Sequence, residues 1–214
     1  MYPPLRFDFH CNSIQDVAIQ LQMHVYRRSE VEFERWEKHK DELQTPEHVK
    51  KWQGHIRRCV MEGLGGLPGR DSPLNARVVG EVKGEGFKVE KIIYESQPGV
   101  HVTSALYIPD KLKGRTAAVL FVCGHAHEAK AYPKYQAVCQ RLARNGFVVL
   151  AVDPPGQGER KSYLDKDGRE LVEWGVREHD YAGLQCWWNG QSSARYFIHD
   201  AVRGIDYLSL IHIS

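Results

Sequence analysis

Two short segments carry residues whose types and spacing suit chemistry. One is Cys123-Gly124-His125-Ala126-His127-Glu128, and the other is Asp153-Pro154-Pro155-Gly156-Gln157-Gly158-Glu159-Arg160. Each directly follows an apolar run. In the first, glycine permits an abrupt turn, and the amides beyond it are free to donate. Free amides suit acyl transfer, in which a carbonyl oxygen turns negative and needs donors aimed at it. In the second, proline and glycine turn the chain away from the preceding run at once. His125 and His127 also form a His-x-His pair, a spacing that occurs in metal sites, with Asp153 as a third ligand.

The elements that must position these segments follow from periodicity. Ala117 to Cys123 and Phe147 to Val152 are continuous apolar runs, the pattern of strands buried on both faces. Between them, Tyr135 to Asn145 reads as a short amphipathic helix with Val138, Leu142 and Ala143 inward, closed by Asn145-Gly146. Strand, helix, strand makes a βαβ unit, so the two runs are expected to be parallel, with helices on the faces. Both chemical segments then lie at carboxyl ends of parallel strands, where sites form in open sheets. Phe87 to Tyr94 and Val100 to Ile108 read as a hairpin turned by Gln97-Pro98-Gly99. Residues 159–190 read as irregular, and Ser193 to Tyr207 as helical.

The start of the chain has a different texture. Residues 12–63 are rich in Glu, Lys, Arg, Gln and His, with apolar residues at helical spacing. Ile14, Val17, Ala18, Leu21 and Val25 keep that rhythm, with Asn12 or Ser13 as cap and Asp16 near the positive end. A second helix is expected after Thr45-Pro46-Glu47, with Val49, Trp52, Ile56 and Val60 on one face. This region reads as helical packing, not chemistry.

In sequence and order the two strand-end segments resemble the α/β-hydrolase superfamily. Phe121-Val122-Cys123-Gly124-His125 resembles the His-Gly-x oxyanion loop, with Cys123 where His is frequent. Asp153-Pro154-Pro155-Gly156-Gln157-Gly158 resembles the Asp-x-x-Gly-x-Gly turn after the next strand. The group that matches is the acetyl xylan esterase, cephalosporin-C deacetylase and dienelactone-hydrolase-like one. The resemblance covers about residues 76–207 and implies an α/β fold: a parallel-sheet core with an N-terminal antiparallel hairpin, preceded by a helical segment. It implies a serine esterase, with carbohydrate deacetylation among its reactions, no cofactor, and a small-molecule or carbohydrate ester as partner. The backbone amide of His125 would be one oxyanion donor, and Gly124 and Ala126 would line the substrate.

The same resemblance implies a Gly-x-Ser-x-Gly elbow, followed by an acid and a histidine. No such elbow occurs in the 214 residues. Gly190-Gln191-Ser192-Ser193-Ala194 is a near-match, but it follows Trp187-Trp188-Asn189 and not an apolar strand, so Ser192 or Ser193 reads as a helix cap. The last residues, Leu208-Ser209-Leu210-Ile211-His212-Ile213-Ser214, resemble the translation of a transposon end used in preparing sequencing libraries. The expectation is therefore a helical segment at 1–75, the front of the hydrolase domain at 76–207 with an incomplete sheet, and a non-native tail at 208–214. Such a chain would be inactive, and poorly soluble or partly molten.

Blander readings stand beside the sharp ones. After His125 and His127, a metallo-hydrolase of the lactamase type would continue Asp-His, whereas Glu128-Ala129 follows. The metal-dependent hydrolase is thus an alternative, as is a non-catalytic binding module. Asp153 reads as a turn acid bonding local amides. Glu159 and Arg160 read as a surface ion pair or as substrate contacts. Trp174, Trp187 and Trp188 suit a sugar-binding wall, with Trp187 the substrate-contact candidate, although packing onto the sheet is the simpler reading. His199 and Asp200 are adjacent on a helix and do not share a face, so they are no triad fragment. Gly156-Gln157-Gly158 lacks the Gly-Lys-Ser/Thr of a phosphate loop.

Composition excludes little else. Net charge is +2 with acids and bases interspersed, which gives no reason to expect nucleic acid or membrane as partner. The start, Met1-Tyr2-Pro3-Pro4-Leu5-Arg6, shows no signal peptide, and five irregularly spaced cysteines read as reduced thiols. Both point to the cytoplasm. Oligomeric state is not readable.

Overall fold

The computed structural model describes residues 19–211 except 113 and 115. The expected helix start at Asn12 to Ala18 and the end of the expected tail, 212–214, lie outside the described residues. The chain divides into two compact units, Met1–Arg58 and Cys59–Ser214.

The first unit holds helix α1 (Gln20–Asp41) and most of helix α2 (Pro46–Leu64). Thr45 caps α2 as expected: its Oγ1 accepts the His48 amide at 3.2 Å, and Pro46 fills the first helical position. Trp36 stacks on His55. The expected packing faces are less buried than the pattern implied. No residue of α1 is buried, and Leu21, Val25, Val49 and Val60 are exposed.

The second unit is a five-stranded sheet in the order β1-β2-β3-β5-β4. Its strands are β1 (Arg77–Lys83), β2 (Phe87–Gln97), β3 (Val100–Pro109), β4 (Ala118–Val122) and β5 (Val148–Val152). β2 and β3 form the expected antiparallel hairpin through Pro98-Gly99, while β1 adds a strand the hydrophobic pattern did not announce, since its side chains are almost all exposed. β4 and β5 are parallel, with Leu120 opposite Leu150. β5 runs antiparallel to β3 on its other side.

Alternation along β5 builds a layer on each face. Val148, Leu150 and Val152 join Ile92, Tyr94, Val102 and Leu106 beneath helix α5 (Ala194–Leu210). Val149 and Ala151 join Phe87, Ala105 and Tyr107 beneath helix α3 (Pro133–Arg144). α3 buries Cys139 and Ala143, whereas Val138, expected inward, points to solvent. Three of these elements differ from expectation. β4 is bonded on one side only, in keeping with the expected incomplete sheet, but it is not buried on both faces: Val122 at its end is 62% exposed. Residues 159–190 are not all irregular, because helix α4 (Val176–Trp188) forms there. α5 runs past Tyr207 to Leu210, and Leu208 is buried against the sheet.

Candidate active site

The two segments singled out by sequence meet at the carboxyl ends of β4 and β5. Their link is Gln157, buried at 1% exposure, whose Nε2 donates to the Gly124 carbonyl at 2.8 Å and to the Ala126 carbonyl at 3.0 Å. The Gly158 amide donates to the His127 carbonyl at 3.0 Å. These bonds fix the direction of the opposite groups. No peptide bond is cis, and in a planar trans peptide the N–H points away from the C=O. Since the Gly124 carbonyl turns toward Gln157, the His125 N–H turns away from it. The same holds for Ala126 and the His127 N–H. Neither amide donates to a protein group among the described residues.

Asp153 anchors the arrangement from below. It is fully buried and accepts from Thr103 Oγ1 at 2.7 Å, from the Lys130 amide at 3.0 Å and from the Glu159 amide at 3.4 Å, and it pairs with Lys130 Nζ. It does bond a local amide as expected, but its main partners come from β3 and from the short 3-10 helix Ala129–Ala131. Gly158 sits at φ +58, and a Cβ there would come within 2.7 Å of the Asp153 carboxylate. Glycine is needed for both the backbone conformation and the space.

The Glu159–Arg160 pair expected at the surface does not form. Glu159 bonds Lys130 instead, and Arg160 turns inward to Asp200 at 2.7 Å and to the Asp153 carbonyl at 3.0 Å. Both partners of the Arg160–Asp200 pair are largely buried, which ties the second loop to α5. His199 faces elsewhere: it is buried with Nε2 2.9 Å from the Ser96 carbonyl, in agreement with its exclusion from a triad.

The His-x-His pair does not converge on a common point. His125 Nε2 lies 3.1 Å from His179 Nδ1. His127 Nε2 lies 2.7 Å from Lys161 Nζ and 3.6 Å from Glu170, and the shorter contact governs, because Lys161 itself reaches Glu170 at 2.8 Å. Asp153 is saturated by Lys130 and Thr103. Among the described residues, no group of three or more His, Cys, Asp or Glu side chains is placed to hold a metal.

None of Ser192, Ser193 and Cys123 is set up as a nucleophile. Ser192 Oγ accepts the Ala194 amide at 3.2 Å, a local turn just before the N-cap position, and what precedes it is helix α4 instead of a strand. Ser193 makes no side-chain cap bond. Cys123 is a free thiol that burial, aided by the nearby Asp153 carboxylate, pushes up to about 12, so it stays protonated at neutral pH. Trp174 lies edge-on to His127, with centroids 5.2 Å apart. Trp187 and Trp188 do not pack onto the sheet: they stand 72% and 85% exposed at the end of α4. His179, Gln157 and Lys130 were not singled out as site residues in the sequence. Only the adjacency of Gln157 to the glycine turn hinted at its part.

An open mixed sheet with a parallel strand pair and helices on both faces is an α/β architecture. The Abhydrolase family model matches residues 16–180, and the chain belongs to that family. No curated protein matches the sequence. Among solved structures, a candidate acetyl xylan esterase from Bacteroides fragilis NCTC 9343 is similar at 18% identity with a TM-score of 0.64, over 79% of this chain and 45% of that one. A methylesterase is similar at 20% identity with a TM-score of 0.59, over 80% of this chain and 35% of that one. The chain thus spans less than half the length of either structure, and at these identities the likeness is one of fold. Among the described residues, no helix is long and apolar enough to cross a membrane.

Proposed function

We propose that this chain supplies the oxyanion-stabilising half of a carboxylic ester hydrolase acting on small-molecule or carbohydrate esters. The observation that carries this reading is the Gln157 clamp, which turns two carbonyls inward and leaves the His125 amide facing out, without a partner, at the end of β4. Such an amide stabilises the carbonyl oxygen as it turns negative during attack. The esterase names of the two similar structures support the same chemistry, and that of the acetyl xylan esterase supports carbohydrate deacetylation as its particular form. Gly124 and Ala126 flank the donor and line the acyl group.

The reaction proposed for the full-length parent is acyl transfer by a serine nucleophile with a histidine base. The 214 residues contain no Gly-x-Ser-x-Gly elbow, and neither Ser192 nor Cys123 replaces it. The proposed place for nucleophile, acid and base is the part of the hydrolase fold that this chain does not span, since it covers 45% of the similar acetyl xylan esterase structure. The chain as given is then inactive. With p-nitrophenyl acetate it is expected to give no more release than a denatured control. Saturable turnover well above that control would mean that a nucleophile resides within these residues.

A further inference from the structure

The His125 ring, although exposed, is held by a second histidine. His179, on α4, contacts it through Nδ1 at 3.1 Å, while His179 Nε2 lies 2.7 Å from the Pro155 carbonyl. A carbonyl only accepts, so His179 Nε2 carries a proton and donates to Pro155. In the neutral ring Nδ1 is then an acceptor, and the proton between the rings must sit on His125 Nε2. One fixed acceptor, the Pro155 carbonyl, therefore sets two tautomers in series. His125 is left with an unprotonated Nδ1, for which the described residues offer no donor.

His179 is seated firmly enough to act this way. A Cβ on Gly156 would come within 3.0 Å of its Nε2, and Phe197 meets its ring edge-on with centroids 5.0 Å apart. His127 contrasts with this: Lys161 is a cation that only donates, so His127 Nε2 accepts and its proton sits on Nδ1. Two residues apart, the histidines carry opposite tautomers imposed by different elements.

We propose that His179 is a positioning residue that locks His125 in the Nε2–H tautomer, so that Nδ1 acts as a hydrogen-bond acceptor on the same residue whose amide faces the substrate. This rests on the ester-hydrolase reading of that loop and adds a specificity to it. The loop offers a donor for the carbonyl oxygen and an acceptor for a hydroxyl close by, a pairing that fits esters hydroxylated next to the carbonyl. Because the ring is exposed, the preference is modest, about fivefold.

Long-range proton–nitrogen NMR of histidine-labelled chain at about pH 8 reads the tautomers directly. His125 is expected protonated at Nε2 and His127 at Nδ1, with loss of one signal set in His125→Gln giving the assignment. His179→Asn, which keeps an acceptor near the Nδ1 position, retains the His125 tautomer. His179→Phe releases it into a mixture. His125 protonated at Nδ1 in the unaltered chain, or unmoved by His179→Phe, would overturn the lock. Titration with methyl glycolate is expected to move the His125 Nδ1 resonance at about fivefold lower concentration than methyl acetate. An equal response to the two esters, or none to either, would overturn the specificity. The readout is proton position, so absence of ester turnover in a longer chain would remove the esterase reading without touching the tautomer result.

Discussion

Gln157 reaches two carbonyls with a single amide nitrogen, and the direction of the outward amides depends on it. Gln157→Leu keeps much of the volume but strands both carbonyls without a donor. The expected loss is about 2 kcal/mol, measured as a shift in the urea midpoint. Faster hydrogen exchange is expected at Gly158, whose bond to His127 closes the same clamp. The thiols give a second residue-scale prediction. Burial pushes both Cys123 and Cys139 up to about 12. A raised thiol pKa disfavours the reactive thiolate, leaving a fraction of about 10⁻⁴ at pH 8. A disulfide reagent is expected to modify exposed Cys59 rapidly in the folded chain, and Cys123 and Cys139 only after unfolding. The rate at these two thiols, Cys139 buried and Cys123 half-buried, rises as pH climbs toward 12. Rapid labelling of Cys123 at pH 8 would contradict the burial.

At the scale of elements, the turn after β5 is constrained from several directions. It must leave the sheet at once, pass over a buried carboxylate and return an arginine to α5. Gly158 permits this because, lacking a Cβ, it adopts φ +58 and leaves room for the Asp153 carboxylate. Gly158→Ala is expected to cost more than about 2 kcal/mol, since strain and the clash with Asp153 add. Chemical denaturation measures it, and a near-neutral effect would mean that the turn relaxes. Alanine at Gly69, where a Cβ meets nothing closer than 3.7 Å, provides the tolerant comparison. The sequence displayed this turn openly, because Pro and Gly advertise backbone geometry. It did not display α4, whose apolar residues do not form a clear stripe and whose Leu184, Trp187 and Trp188 face solvent.

For the whole molecule, the consequential feature is β4. It is apolar, yet it is bonded on one side only, with Val122 largely exposed. Open strand edges of this kind template association. The chain is expected to scatter light on warming at micromolar concentration and to melt broadly. Val122→Lys, which places a charge at the open end, is expected to reduce the scattering without lowering the unfolding free energy by more than about 0.5 kcal/mol. A sharp, concentration-independent monomer melt would set this expectation aside. The open edge of β4 was expected, but its apolar composition overstated its burial for a physical reason. Composition reports that a strand suits a buried position, while actual burial depends on having neighbours on both edges and both faces.

The sequence alone determined what local chemistry encodes. The βαβ unit follows from two apolar runs around an amphipathic helix, the hairpin from Pro98-Gly99, the α2 cap from Thr45-Pro46, and the turn after β4 from its glycine behind an apolar strand. Each depends on residues near one another in the chain. Tertiary structure decided what depends on approach between distant segments. It brought Gln157 under the Gly124–Ala126 loop, Lys130 onto Asp153, Arg160 onto Asp200 and His179 onto His125. No periodicity marks such pairs, because a polar side chain looks the same in sequence whether it meets water or a buried partner. Which way the His125 amide and ring face is therefore a property of the fold, and the function proposed for this chain rests on that direction.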